Sequence, residues 1–171
     1  MKSDVDYLIG SVHFLKNKNE LWGFDNPEFI GVYKSKDIDT IWVEYFGAIK
    51  SMAKTGLFDI VGHLDLIKVF KFLPKKDIRL IAKETWQEIK KANLVLEINS
   101  AGIRKPIAET YPSIQLLEMA YEMGIDITFG SDAHSVEQVG FAYEDAINIA
   151  KKIGFKNCVT FEKRDRKTIQ F

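Results

Sequence analysis

Phe58-Asp59-Ile60-Val61-Gly62-His63-Leu64-Asp65 sets the pattern that the rest of the chain repeats. Its apolar centre is short and unbroken, which predicts a strand buried on both faces, as strands of a parallel sheet are. Polar and titratable residues follow at once. Strand-like runs recur at residues 6–14, 94–99 and 126–130, and residues 158–161 predict a fifth strand.

Between the strands the periodicity changes to that of a helix. From Asp37 onward, Ile38, Trp42, Tyr45, Ile49 and Met52 recur every three or four residues, and Gly56 stands where a left-handed cap is wanted. After Pro74, a second helix has Asp77 near its start, Ile78, Ile81, Thr85 and Ile89 on one face, and Lys90-Lys91 at its end. Pro112 opens a third, carrying Ile114, Leu117 and Tyr121, and Gly124 closes it. Val139, Ala142, Ala146, Ile149 and Ile153 mark a fourth, ending at Gly154. This alternation predicts an α/β fold, a parallel barrel-like sheet of about five strands with helices outside. No linker, low-complexity tract or short repeat divides residues 1–171, which read as a single domain. A polar loop with Gly23, Asn26 and Pro27 follows the first strand, and the charged tail 162–167 is expected at the surface.

Composition narrows the function classes. Lys plus Arg (24) equals Asp plus Glu (24), so no whole-chain field draws the protein to nucleic acid. The single cysteine, Cys158, cannot form an internal disulfide, which fits a cytoplasmic protein; its apolar neighbours predict a buried strand position. No apolar stretch approaches the roughly 18 residues of a membrane span. Met1-Lys2-Ser3-Asp4-Val5-Asp6 is not followed by a signal-peptide core.

The three histidines carry the chemistry. His13, His63 and His134 each lie at or just beyond a predicted strand end, and in a parallel barrel those ends converge on one mouth. Asp132 lies two residues before His134, so extended backbone would point both to one side; Asp65 repeats that spacing after His63. Imidazole with carboxylate suits zinc, manganese or iron. A lone strand-end histidine is more often a hydrogen-bonded polar residue, but three sharing that position favour a metal. No Gly-x-Ser-x-Gly elbow is present, and Cys158 has no histidine near it in sequence. In Asn99-Ser100-Ala101-Gly102-Ile103-Arg104-Lys105-Pro106, the Arg104-Lys105 pair is either a phosphate grip or an exposed loop pair. Trp22, Asp25 and Tyr33 either shape a substrate pocket or simply pack.

These segments, with Trp22-Gly23-Phe24-Asp25, Glu109-Thr110-Tyr111-Pro112 and Gly130-Ser131-Asp132-Ala133-His134, resemble the polymerase and histidinol phosphatase (PHP) superfamily in its histidinol-phosphatase branch. The resemblance implies a partial, carboxyl-terminal version of a distorted seven-stranded barrel built around one to three divalent metals. It implies His13, His63, Asp132 and His134 as metal ligands, Asp132 and His134 as catalytic, and Arg104 on the substrate phosphate. The reaction would be metal-assisted hydrolysis of L-histidinol phosphate, in histidine biosynthesis. The family's opening His-x-His strand, further histidines and a bridging glutamate have no counterpart here, which implies fewer ions in this chain. Three readings follow: an active phosphatase, a catalytically impaired homologue or half-enzyme completed by a partner chain, and a PHP nuclease, which the balanced charge disfavours. Open sheet edges would invite a second copy or a complementing chain.

Overall fold

The computed structural model describes residues 4–18 and 20–171; Met1-Lys2-Ser3, part of the stretch read for a signal, lies outside them. The chain opens with β1 (Ile9–Gly10), then an antiparallel pair, β2 (Phe14–Asn17) and β3 (Glu20–Gly23). Helices α1 (Ile30–Ser35) and α2 (Ile38–Lys54) lead to β4 (Ile60–Val61). Then come α3 (Ile78–Lys91), β5 (Val95–Asn99), α4 (Ile114–Glu122), β6 (Ile127–Gly130) and α5 (Tyr143–Ile153). A second antiparallel pair, β7 (Asn157–Glu162) and β8 (Asp165–Gln170), completes it.

The parallel sheet has the order β1-β4-β5-β6, so each consecutive strand lies beside its predecessor. Alternation divides its faces. Val61, Leu96, Ile98 and Ile127 join Trp42, Phe46, Trp86 and Leu117 of the helices in the main core. On the other face Ile60 and Val95 form a smaller cluster with Val159 and Phe161 of β7. Beside that cluster Glu97 and Thr128 line a cavity of about 380 Å³ that also meets Asp132. Asp37 and Asp77 cap α2 and α3 by accepting from Thr40 N and Arg79 N, 2.9 Å each. Gly56 and Gly124 take positive φ just past α2 and α4.

Several sequence expectations need correction. Residues 158–161 do not extend the parallel sheet: β7 pairs antiparallel with β8, because Lys163 and Arg164 take positive φ and reverse the chain. The charged tail is therefore a hairpin, anchored by an Arg164–Asp59 ion pair of 2.6 Å; Cys158 is only half-buried in it. The first strand is two residues long, and the expected polar loop folds into a hairpin that buries Leu15 and Trp22. The fourth helix starts at Tyr143, because positive φ at Gly140 and Ala142 turns the chain first and leaves Val139 exposed.

Beyond β4, Asp65 and Lys68 form an ion pair of 3.1 Å in which both side chains are buried. Asp65 also accepts from Ser113 N at 2.8 Å, and Lys68 donates to the Thr110 carbonyl at 2.9 Å. The pair ties the β4 loop to the start of α4. Lys68→Met strands a buried carboxylate, so urea unfolding should show a loss on the order of 3 kcal/mol. The double variant Lys68→Met/Asp65→Leu should recover much of it.

Candidate metal site

His13 follows β1 and His63 follows β4, and adjacent parallel strands bring them together. Their rings meet edge to face with centroids 4.9 Å apart. Asp25, from the turn after β3, places Oδ2 2.8 Å from His13 Nδ1. A carboxylate there favours the Nδ1–H tautomer and leaves the Nε2 lone pair free for a metal. That hydrogen bond raises the His13 pKa against the opposing pull of burial, with Coulombic help from Asp25 and Asp132. Burial pushes Asp25 up, but the hydrogen bond and charge of His13 leave it below its ordinary value.

His63 is the opposite case. It is 5% exposed, its Nδ1 has no hydrogen-bond partner, and its φ is +27°, a left-handed conformation unusual for a residue with a side chain. Burial and then the neighbouring His13 bring its pKa down to about 4, although Asp132 and Asp25 pull it up. It is therefore neutral near pH 7 and carries a free lone pair. Asp132 also has positive φ, +46°, after β6. Arg104 reaches across to its loop and donates to the Ser131 and Asp132 carbonyls at 2.9 and 2.6 Å.

The structure thus gathers His13 and His63 and places Asp132 within electrostatic reach of both. His134 stands apart. It is exposed, its Nδ1 lies 2.8 Å from the Asp132 carbonyl, and its amide donates to Gln138. The two-residue rule fails there because Asp132 is not extended. Asp65 fails for the same reason: the turn at His63 sends it to Lys68 instead. Trp22 and Tyr33 pack in the core rather than line a substrate pocket. Asp25 proves to be the partner of His13. Glu97 was missed altogether, although a lone carboxylate inside the apolar run of residues 94–98 is the signal that could have flagged it. Burial raises its pKa, opposed by hydrogen bonds from Asn99 and the His63 amide.

Two imidazoles, one buried with an orphaned nitrogen and one oriented by a carboxylate, fit a divalent transition metal in donor chemistry. Among the described residues, however, no three His, Cys, Asp or Glu groups stand close enough to hold an ion.

A model of the PHP domain matches residues 1–101. The chain belongs to the PHP family. In this PHP chain a second model, described as PHP-associated, matches residues 115–153. It is 41% identical over 161 residues to a "probable histidinol-phosphatase" of Deinococcus radiodurans, covering 94% of this chain and 59% of that protein. With the histidinol-phosphatase of Bacillus subtilis it shares 30% over 152 residues, 82% of this chain and 57% of the relative. The PHP chain thus spans less than two thirds of these relatives. In fold it is similar to the crystal structure of a Lactococcus lactis histidinol phosphate phosphatase complexed with zinc, L-histidinol and phosphate. The TM-score is 0.72 at 21% identity, over 96% of this chain and 63% of that one.

The lowered His63 pKa gives this PHP domain a signed pH dependence. Its contribution is complete above the unfolded value near 6.5 and fades as pH falls toward the folded value of about 4. With a chelator present, urea unfolding should show the stability gap between the natural chain and His63→Gln narrowing by about 2 kcal/mol from pH 7.5 to 5.

Proposed function

We propose that this chain is a metal-dependent phosphomonoesterase that hydrolyses L-histidinol phosphate to L-histidinol, with its imidazoles on the metal and Arg104 on the phosphate. The observation that carries the reading is the His13–His63 pair, with His13 oriented by Asp25 and His63 held neutral. The names of the relatives, and the ligands named with the Lactococcus structure, support the substrate and favour zinc; manganese and iron suit the same donors. When bound, a divalent ion supplies Lewis acidity and lowers the pKa of a water. His13 and His63 would hold it, and Asp132 and His134, from the loop after β6, would complete the set only by moving closer, with His134 turning its ring from the Asp132 carbonyl.

Arg104 spends one N–H of each terminal nitrogen on the Ser131 and Asp132 carbonyls. It thereby fixes the loop that carries Asp132 and keeps further N–H groups for a phosphate oxygen. The reading also takes residues 1–171 as one domain of a partial barrel, whose β1 edge another segment would extend. A cytoplasmic setting agrees with the unpaired cysteine and with the absence, among the described residues, of a helix long and apolar enough to cross a membrane.

A second reading rests on the same site: a half-enzyme whose remaining ligands come from another chain or segment. The lack of three convergent ligands among the described residues favours it. Phosphate release from L-histidinol phosphate, with zinc or manganese added, separates the two. The isolated chain should turn over, Asp132→Ala should lose at least 100-fold in kcat/KM, and Arg104→Gln should raise KM about tenfold. No release with any of these metals overturns the first reading. Release only after a polypeptide bearing the family's opening His-x-His segment is added establishes the second.

A further inference from the structure

Glu97 has a position that its neighbours have been shaped to accommodate. It lies in the middle of β5 and is 6% exposed. Thr128 is its register partner on β6, but two glycines border its carboxylate: Gly62, just past β4, and Gly130, at the end of β6. A Cβ on Gly130 would collide with Glu97 Oε1, whereas one on Gly62 would collide with Ser11 and Ile9 and only touch Glu97 Oε2, at 3.5 Å. One oxygen, Oε2, accepts two hydrogen bonds of 2.9 Å, from the His63 amide and from Asn99 Nδ2. Asn99 Oδ1 in turn accepts from Ala101 N at 2.9 Å, capping the turn Ser100–Arg104. Arg104 closes the circuit on the Ser131 and Asp132 carbonyls.

We propose that Glu97 is a positioning residue: its carboxylate, lodged between Gly62 and Gly130, fixes the His63 backbone and the Arg104 turn in one frame. The left-handed backbone at His63 turns its amide to one acceptor, and Glu97 is that acceptor. The same oxygen sets the Asn99 amide so that its carbonyl end faces Ala101. One side chain thus relates the metal-side imidazole to the phosphate-side guanidinium. The inference rests on the phosphatase reading for its purpose, not for its geometry.

The test uses the full chain, zinc as the probe in competition with a chromophoric chelator, and backbone hydrogen exchange at His63 and Ala101. Glu97→Gln can keep an acceptor at the Oε2 position, so exchange and zinc affinity should stay within about threefold of the natural chain. Glu97→Ala should speed exchange at both amides at least tenfold and weaken zinc by about 10–100-fold, as loss of supporting contacts to a metal site does. Gly130→Ala, which displaces the carboxylate, should do the same. Unchanged amides and affinity in folded Glu97→Ala would overturn the proposal. Equal zinc losses in the Gln and Ala variants would overturn it too, by making Glu97 a ligand. If Glu97→Ala does not fold, Gly130→Ala decides: faster exchange at His63 and Ala101 supports the frame and unchanged exchange refutes it. A natural chain that binds no zinc counts against the phosphatase reading alone, and the exchange rates still decide the role of Glu97.

Discussion

Every residue of β5 is buried, so each of its five side chains must be satisfied by whatever the alternation sets opposite it. Leu96 and Ile98 point to the helices, where each contributes roughly 2–3 kcal/mol by leaving water. Val95 meets the β7–β8 hairpin on the other face. That leaves Glu97 and Asn99 beyond the hairpin's apolar cover, where they are satisfied by hydrogen bonds to each other and to the turns that follow β4 and β5. The site is consequently anchored by the strand that the fold can least afford to disturb.

How much of this was legible in the sequence depends on how local each cause is. The helices α2, α3 and α4 were readable because their caps and apolar stripes are local: Asp37, Asp77, Gly56 and Gly124 each act within one turn. The hairpins were not, because β2–β3 and β7–β8 depend on pairing, and the β7–β8 reversal falls on Lys163 and Arg164, residue types that do not advertise positive φ. At the site, the meeting of His13 and His63 was readable, since it follows from two adjacent parallel strands. The partners expected two residues from a histidine were misjudged at both places. Alternation holds only for extended backbone, and the chain abandons it at His63 and at Asp132.

Those two departures have an energetic meaning. Left-handed backbone at a residue with a side chain costs on the order of 1 kcal/mol or more and survives only where neighbours over-determine it. At His63 the compensation is visible in the hydrogen bond from its amide to Glu97, and in the burial of Leu64 and Asp65 just beyond. At Asp132 it comes from Arg104, which grips the carbonyls on either side of the turn. Both strained residues face the same cluster, so the strain is concentrated where His63 and Asp132 must point away from the strand direction.

The two imidazoles also respond to protons in opposite senses. His13, half exposed and paired with Asp25, takes a proton more readily than usual; His63, buried beside it, takes one less readily. With centroids 4.9 Å apart, charging one ring opposes charging the other, so a proton on His13 makes a second one on His63 harder to add. Burial, the larger cause, keeps His63 uncharged near pH 7, while Asp25, ionised behind His13, fixes the orientation of the second ring. The metal-binding role proposed for the pair would draw on the lone pairs that this arrangement leaves uncommitted.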